Sequence, residues 1–434
     1  MSYNSGMTML VQKFGGTSLA DPARILNCAR RVAAAQKQGH GVVVVVSAMG
    51  HTTDELIALA RAITDDPRQR EMDMLLATGE QVSTALMTMS LHTLGVDAIS
   101  FAGMHLGIVT DPVHTKAKIQ SIEVGRLQRE LDAGRVVVAA GFQGVTVDGQ
   151  ITTLGRGGSD TTAVALAAAI GQARGEKVTC EIYTDVDGVY TADPRKVPDA
   201  RKLSRISYEE MLELASLGAG VMHNRAVMCG SNYGVPIHVR HSVLADPGTL
   251  IVEESPDMER ISVVGCALTP DLGRISLRRI PNRAGIQAEI FRHISAANVL
   301  VDDIMQTEHG EFVDLSFTVE MNDLTDIKIA VQRFLDELGQ GDMSVEIGLA
   351  KVSAVGVGMR THTGVATTMF NALGEAGINI ANITTSEIKI SCLVTKEHGE
   401  RALRIVHEQF ELHRSPEERS LPGVHQPDAS GAAR

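Results

Sequence analysis

The sequence predicts a layered α/β domain with a mainly parallel sheet, followed by two small α+β modules in tandem. Three observations predict it. Residues 8 to about 250 alternate strand-like and helix-like segments, as when helices pack on a sheet. Among them stand five successive valines, Val42 to Val46, and a continuous β-branched run marks a strand buried on both faces. Further on, residues 282–304 align without a gap to residues 361–383, so one supersecondary unit occurs twice.

Each element has its own signal. The segment TMLVQKF, Thr8 to Phe14, reads as the first strand and runs into Gly15-Gly16-Thr17-Ser18. Residues 21–38 carry helical periodicity behind Asp21-Pro22, a capping acid followed by a first-turn proline. The valine strand follows, and RVVVAAGFQG, residues 135–144, repeats its logic. In TTLGRGGSDTTAVALAAAI, Thr152 to Ile170, the run from Ala163 is apolar and helix-forming. It predicts a buried helix that begins at the capping residues Ser159, Asp160 and Thr161. Residues 181–195 open as a strand and end in turn residues, and residues 235–241 form another short strand. Residues 242–260, with two prolines and many acids, read as a connection between domains. In the repeat, Gly285 matches Gly364, Phe291 matches Phe370, and Val299, Val301 and Ile304 match Ile378, Ile380 and Ile383. Each copy reads as a turn, an amphipathic helix, a glycine or asparagine cap and an alternating strand. The tail, residues 414–434, is polar and rich in Pro, Gly and Ser, and is expected to be disordered.

Composition narrows the class. With 434 residues and 44% hydrophobic content the chain builds several cores, and with 3% aromatics and no Trp those cores are aliphatic. A formal net charge of −12 argues against nucleic acid as the main partner. Five cysteines, an odd number without a C-x-x-C spacing, fit a reducing compartment and speak against disulfides or a cysteine zinc site. The first residues lack a basic region followed by an apolar core, and no apolar run reaches the length of a membrane span. The expectation is a cytoplasmic protein.

The chemistry gathers at strand ends, where an α/β sheet places its ligands. Gly155, Gly157 and Gly158 let the backbone approach a ligand, and the following helix start offers unpaired N–H groups to an anion. Arg156 adds a planar fork for a carboxylate or phosphate. Lys13, beside the Gly15-Gly16 turn and the hydroxyls of Thr17 and Ser18, suits phosphate but lacks the spacing of a P-loop NTPase. Ser47 to Thr53 ends the valine strand, and Glu80 stands among small residues in TGEQVSTAL, near an expected helix start, where a helix N-terminal acid is the ordinary alternative. Asp185 and Asp187 suit Mg²⁺ or a ribose, and equally the turn DVDG.

Four segments in this order, MLVQKFGGTSLADPARI, SAMGHTTDELI, TLGRGGSDTTAVALAAAI and EIYTDVDGVYTADPR, resemble the signatures of the aspartate kinase family. The likeness extends over roughly residues 9–413, and the repeat resembles that family's paired ACT modules. It implies an amino-acid-kinase three-layer sandwich over residues 1–250 and ferredoxin-like ACT modules over 251–340 and 341–413. The second module would borrow a strand that precedes the first. The implied reaction is phosphorylation of the L-aspartate side chain by ATP with Mg²⁺, giving 4-phospho-L-aspartate, on the route to lysine, threonine and methionine. By resemblance, Lys13 contacts the phosphates with the Gly15 and Gly16 backbone, and Glu80 holds the aspartate α-ammonium. Arg156 grips a substrate carboxylate, Ser159 and Asp160 complete that site, and Ser47 and Thr53 line it. Thr184, Asp185, Tyr190, Asp193, Pro194 and Arg195 would hold the nucleotide. The paired modules imply a homodimer or larger assembly and feedback by lysine, threonine or both, near Asn282, Gly285, Gln306, Asn379 and Asn382.

Some positions depart from the family pattern. In Gly218-Ala219-Gly220-Val221-Met222-His223-Asn224-Arg225, Gly220 replaces a lysine near the ATP phosphates and Asn224 a proline, with Arg225 one cation able to substitute. His51 stands in place of a common Asp, and Asn282, Ala284 and Thr363 replace Asp, Pro and Pro. Two other readings compete: a related kinase for another carboxylate or a carbamate, which Glu80 with Arg156 disfavours, and an amino-acid sensor with a decayed kinase domain, which the loss at Gly220 alone supports.

Overall fold

A computed structural model describes residues 7–419 except Ala219. The chain contacts divide it into two units, one running to Tyr190 and from Lys202 to Met258, the other comprising Thr191–Arg201 and the residues from Glu259.

The first unit contains, in chain order, β1 (Met9–Phe14), α1 (Pro22–Lys37), β2 (Gly41–Val46), α2 (Thr52–Ile63), α3 (Gln69–Thr93), β3 (Ala98–Phe101), β4 (Ile108–Thr110), β5 (Ile119–Ile122), α4 (Gly125–Asp132), β6 (Val136–Ala140), β7 (Gln143–Val145) and β8 (Ile151–Thr153). It continues through α5 (Gly158–Arg174), β9 (Thr179–Thr184), β10 (Arg205–Ser207), α6 (Tyr208–Ser216), α7 (Asn224–Tyr233), β11 (Ile237–His241) and β12 (Thr249–Val252). Eight strands form the main sheet in the order β10-β12-β11-β9-β1-β2-β6-β3. Every pairing in it is parallel except β11 with β12. A small sheet, β5-β4-β7-β8, stands beside it.

The five-valine strand is buried along its whole length, as the run of valines requires. Val42, Val44 and Val46 pack with Phe14, Val136 and Val138 under α1 and α3. The alternate residues Val43, Val45, Val137 and Ala139 are equally buried, and α5 packs along β1, β2 and β9. The sheet thus lies between helical layers. Asp21 caps α1 as expected, accepting from the Arg24 amide at 2.9 Å.

The segment read as an interdomain connection, residues 242–260, departs from expectation. Its Thr249–Val252 stretch is β12, which pairs with β11 and β10 inside the main sheet. The flanking prolines and acids obscure a short strand whose Thr249 and Ile251 are fully buried. A second departure is the excursion Thr191–Arg201. An isolated antiparallel bridge between Tyr190 and Lys202 closes its neck. Its Ala192 and Val197 belong to a hydrophobic cluster of the second unit.

The second unit contains β13 (Gly265–Pro281), α8 (Ile286–Ala296), β14 (Asp302–His309), β15 (Phe312–Glu320), α9 (Leu324–Leu338), β16 (Asp342–Val355), α10 (Val365–Glu375), β17 (Asn382–Thr385), β18 (Lys389–Thr395) and α11 (Lys396–Gln409). The strands form one sheet, β14-β15-β13-β16-β18-β17. The sequence repeat is visible in it: α8 and α10 are both 11 residues long, and Gly285 and Gly364 precede them at φ 88° and 91°. That left-handed backbone is where glycine costs least.

The long strands β13 and β16 serve both modules. Residues 272–281 of β13 pair with β15, whereas residues 265–269 pair with residues 351–355 of β16. Residues 349–355 of β16 also pair with β18. The sheet of the second module is therefore completed by residues that precede the first. Each module has its own core, Ile275, Ile290, Phe317 and Phe334 in one, Val352, Met369, Leu373, Cys392 and Val406 in the other.

Of the tail, residues 414–419 are ordered, contrary to expectation. Ser415 and Glu418 form a capping box around Pro416–Glu418, and Arg419 donates to the Val263 carbonyl at 2.7 Å. Residues 420–434 lie outside the described residues.

Candidate active site

The first unit carries a cavity of about 320 Å³ lined by Lys13, Gly16, Ser47, Thr53, Glu80, Arg156, Ser159 and Asp160, among others. These are the residues that the sequence picked out for substrate and phosphate, and the fold brings them together at the ends of β1, β2 and β8 and the start of α5. Lys13 is the penultimate residue of β1, mostly buried, with its ammonium 2.5 Å from the Asp160 carboxylate on α5.

Glu80 reaches the cavity from the middle of α3 and not from a helix start, because the helical pattern already begins at Gln69, and it is 3% exposed. One carboxylate oxygen accepts the Ala48 amide at 3.0 Å, and the other is buried without a hydrogen-bond partner. Burial pushes its carboxyl up to about 7, against the pull of the Ala48 amide. A buried acid with one idle oxygen in a cavity is arranged for a cationic ligand.

The glycines allow close approach. A Cβ on Gly16 would lie 2.8 Å from the Ala48 carbonyl, and one on Gly157 only 2.2 Å from the His223 ring. Gly157, at φ 69°, is itself the N-cap of α5, which starts at Gly158. The helix therefore begins ahead of Ser159, Asp160 and Thr161, and none of these caps it. The Thr161 hydroxyl donates back to the Gly157 carbonyl at 3.1 Å, whereas Asp160 pairs with Lys13, and Ser159 and Asp160 line the cavity. The Gly158 amide donates to the Gly155 carbonyl at 3.0 Å and the Thr161 amide to the Gly157 carbonyl at 3.1 Å, so of the first turn the amides of Ser159 and Asp160 remain for a ligand.

Other expectations are divided. The Gly15 amide donates to the Tyr183 carbonyl at 3.1 Å, so it is not free for phosphate. The Gly16 amide heads the short turn Gly16–Leu19, where no intrahelical acceptor exists. The Arg156 side chain is exposed at the cavity. His51 is exposed as well, 3.8 Å from Asp54, and does not line the cavity. Arg225 is no substitute phosphate ligand: its guanidinium donates to the carbonyls of Leu154 and Ala117. Gly220 stands in open space, where a Cβ would meet nothing.

Thr184 ends β9 and its hydroxyl donates to the following Asp185 at 3.1 Å, and Asp185 is exposed. Asp187 accepts the Tyr190 hydroxyl on both oxygens at 3.0 Å and the Lys202 ammonium at 3.2 Å, which ties the DVDG turn to structure. Asp193, Pro194 and Arg195 belong to the excursion counted with the second unit, where Arg195 grips Asp193 through two side-chain bonds at 3.0 and 2.9 Å. That guanidinium holds the Asp193 carboxyl below its ordinary value.

In the second unit, Asn282 donates to the Gly310 carbonyl, Gln306 accepts from Gln287, and the Asn382 side chain accepts the Ile383 amide. Asn379 is exposed. A cavity of about 550 Å³ in the second module is lined by other residues, including Arg360, His362, Thr385, Ser386 and Glu387.

Sequence reasoning missed three contributors. The Ala48 amide carries no side-chain signal. Phe142, at φ 67°, lines the cavity and closes on Gly158. His223 packs over Gly157, and burial with the nearby Arg225 holds its imidazole below the ordinary histidine value.

Residues 8–241 match the amino acid kinase family and residues 352–410 match an ACT domain. The chain is 48% identical over 408 residues to the aspartate kinase of Stutzerimonas stutzeri, covering 94% of this chain and 98% of that one. It is 47% identical over 410 residues to aspartokinase 2 of Bacillus subtilis, covering 94% and 99%. Escherichia coli aspartokinase III solved with aspartate and ADP superposes with a TM-score of 0.72 at 27% identity, covering 92% of this chain and 99% of that one. The same enzyme solved with lysine and aspartate gives 0.73 at 26%, covering 93% and 99%. A kinase unit with Lys13, Glu80 and Asp160 at one cavity, followed by tandem regulatory modules and matched along nearly its whole length, places the chain in the aspartokinase family.

Proposed function

We propose that this aspartate kinase transfers the γ-phosphoryl group of ATP to the side-chain carboxylate of L-aspartate, giving 4-phospho-L-aspartate at the cavity around Glu80. The observation that carries the substrate assignment is the idle, buried oxygen of Glu80, which fits an α-ammonium. Arg156 takes a carboxylate of the amino acid, and Ser47, Thr53 and Ser159 line its seat. An α-amino acid satisfies Glu80 and Arg156 together, which a carbamate does not.

The nucleophile is a carboxylate, ionised at neutral pH, so no general base is required. The residues have to align the two substrates and cancel charge on the moving phosphoryl group. Lys13 does the second, and its pairing with Asp160 fixes where the ammonium points. The Gly16 amide and the first turn of α5 add backbone donors. Thr184, Asp185 and Tyr190 of the first unit are proposed to hold the nucleotide. Among the described residues no group of three His, Cys, Asp or Glu side chains is placed to hold a metal. Mg²⁺ would be carried by the ATP phosphates and would supply further charge cancellation there.

The tandem modules are the seat of feedback by an end-product amino acid, lysine or threonine, through Asn282, Gly285, Gln306, Asn379 and Asn382. Lysine is supported by the complex of the Escherichia coli relative. Pairing of such modules between copies makes the enzyme a homo-oligomer of the cytoplasm, on the route to lysine, threonine and methionine. Among the described residues no helix is long and apolar enough to cross a membrane.

Trapping the acyl phosphate with hydroxylamine from ATP, Mg²⁺ and L-aspartate tests the reading. Aspartate-dependent hydroxamate is expected, suppressed by lysine or threonine. A folded protein that yields none, yet binds an amino acid, would instead be a sensor.

A further inference from the structure

Glu80 has a counterpart two helical turns earlier on α3. Asp73 is fully buried, and the proposed reaction makes no use of it. Its carboxylate accepts hydrogen bonds from His114 Nδ1 at 2.7 Å, from the Thr115 amide at 3.0 and 3.1 Å, and from the Thr153 hydroxyl at 2.5 Å. A carboxylate only accepts, so the ring presents Nδ1–H to it. Burial of a charge is tolerated where donors saturate it, and here they do.

The partners lie on either side of the Arg156 turn. Thr153 ends β8, and Leu154, Gly155 and Arg156 follow directly. His114 and Thr115 lie in the loop between β4 and β5, and the Ala117 amide of that loop donates to the Thr153 carbonyl at 3.0 Å. Thr115 is held at φ 66°, a left-handed conformation rarely kept by a β-branched residue. Its carbonyl fills the space beside Gly155, where a Cβ would come within 2.9 Å of it. From another direction Arg225 ties the carbonyls of Leu154 and Ala117 together.

We infer that Asp73 is the positioning residue of the aspartate site: it fastens both the strand that leads into the Arg156 turn and the loop that backs Gly155, and so fixes where Arg156 meets the substrate carboxylate. The same helix thus presents Glu80 to one end of the amino acid and, through Asp73, orients the turn that receives the other. Asp73 touches no substrate. Its effect reaches aspartate and not the nucleotide, because its partners all belong to the Arg156 side of the cavity.

The inference rests on the aspartate-kinase reading, and the two fail differently. Asp73→Asn keeps the shape, removes the charge and leaves one oxygen for donors on two elements. In the full-length enzyme, below its melting temperature, it is expected to raise KM for aspartate by about tenfold and leave KM for ATP within about twofold. Thr153→Val, which deletes a single donor at nearly constant volume, is expected to give a smaller shift of the same kind. It decides the matter alone if Asp73→Asn does not fold. An unchanged KM for aspartate in the folded variants, or an equal rise in both KM values, overturns the positioning role. A wild-type enzyme that forms no aspartate-dependent acyl phosphate overturns the functional reading instead.

Discussion

Two carboxylates on α3 occupy equally buried places and have opposite surroundings. Asp73 is met by donors on both oxygens, whereas Glu80 has the Ala48 amide on one and nothing on the other. The first is a finished structural joint. The second is unfinished until a ligand arrives, and its carboxyl is pushed up to about 7 in the meantime. Burial alone does not tell a functional acid from a structural one; the count of donors around it does.

The largest effect belongs to the cation at the same cavity. Lys13→Ala is expected to lower kcat by about a thousandfold or more, the loss that follows from the proposed role of its ammonium in cancelling charge on the transferring phosphoryl group. The fold should survive, because a single ion pair is lost at the cavity edge. A steady-state assay with a thermal melt checks both, and near-normal turnover would remove Lys13 from the site.

The next experiment sets the two acids against each other. Asp73→Asn strands buried donors and is expected to cost about 2–4 kcal/mol of stability. Glu80→Gln removes a charge that is costly in the empty site. With the folded carboxyl at about 7 and the ordinary value at 4.5, the unfolded chain ionises first as pH rises. Stability then falls between these values, by about 3 kcal/mol in all. Glu80→Gln should therefore melt no lower than wild type at pH 8, and bind aspartate about a hundredfold more weakly. Comparable melting losses in both variants would erase the distinction.

The same group sets a pH profile. Only ionised Glu80 attracts the ammonium, so kcat/KM for aspartate should fall about tenfold per pH unit below about 7, with Lys13, Asp160 and Arg156 the charged neighbours in the cavity. Glu80→Gln should flatten that limb. A limb that persists in the variant would belong to another group, His223 first among them.

A fourth measurement moves to the second unit. His407 on α11 is buried, and its Nε2 lies 2.9 Å from the Thr191 hydroxyl. Burial, with His413 and Arg419 adding to it and Asp199 opposing, holds its imidazole down at about 4. Below 6.5 the unfolded chain takes up a proton that the folded unit refuses, so stability is lost as pH falls from 6.5 towards 4. The loss totals about 3 kcal/mol. His407→Gln should melt with a shallower pH dependence over that window; an unchanged slope would assign the acid sensitivity elsewhere.

What the sequence displayed, and what it hid, follows from the range of the interactions. Val42–Val46 and the 163–170 run announce their burial locally, and the repeat predicted two matching helices behind Gly285 and Gly364. The site motifs were legible because each is a contiguous turn. Asp73 was not, since its partners lie 41, 42 and 80 residues away and MDMLL reads as ordinary helix. The excursion was hidden for the same reason: TADPRKVPDAR has the composition of a loop, and only contacts of Ala192 and Val197 with distant residues reveal a packed segment. The start of α5 was misplaced because Ser and Asp are good caps, and here a left-handed glycine takes that position and leaves them to the cavity.

The smallest expected effect concerns the missing lysine. Arg225 is committed to the carbonyls of Leu154 and Ala117, so it offers no cation in its place. Yet on the proposed reading Lys13, the Gly16 amide and the Ser159 and Asp160 amides serve the phosphates, and an enzyme built on these should work without a further ammonium. A Cβ at Gly220 meets nothing within 4 Å, so the side chain of Gly220→Lys starts in open space. The variant should lower KM for ATP by about two- to fivefold, the yield of one partly solvated charge pair. KM for aspartate should not move, because Glu80 and Arg156 are untouched. A change confined to aspartate would mean that the loop of Gly220 serves the amino-acid side, where Asp73 and Glu80 already divide the work. No change in either would mean that residue 220 lies beyond reach of the phosphates and that the lysine was dispensable from the outset.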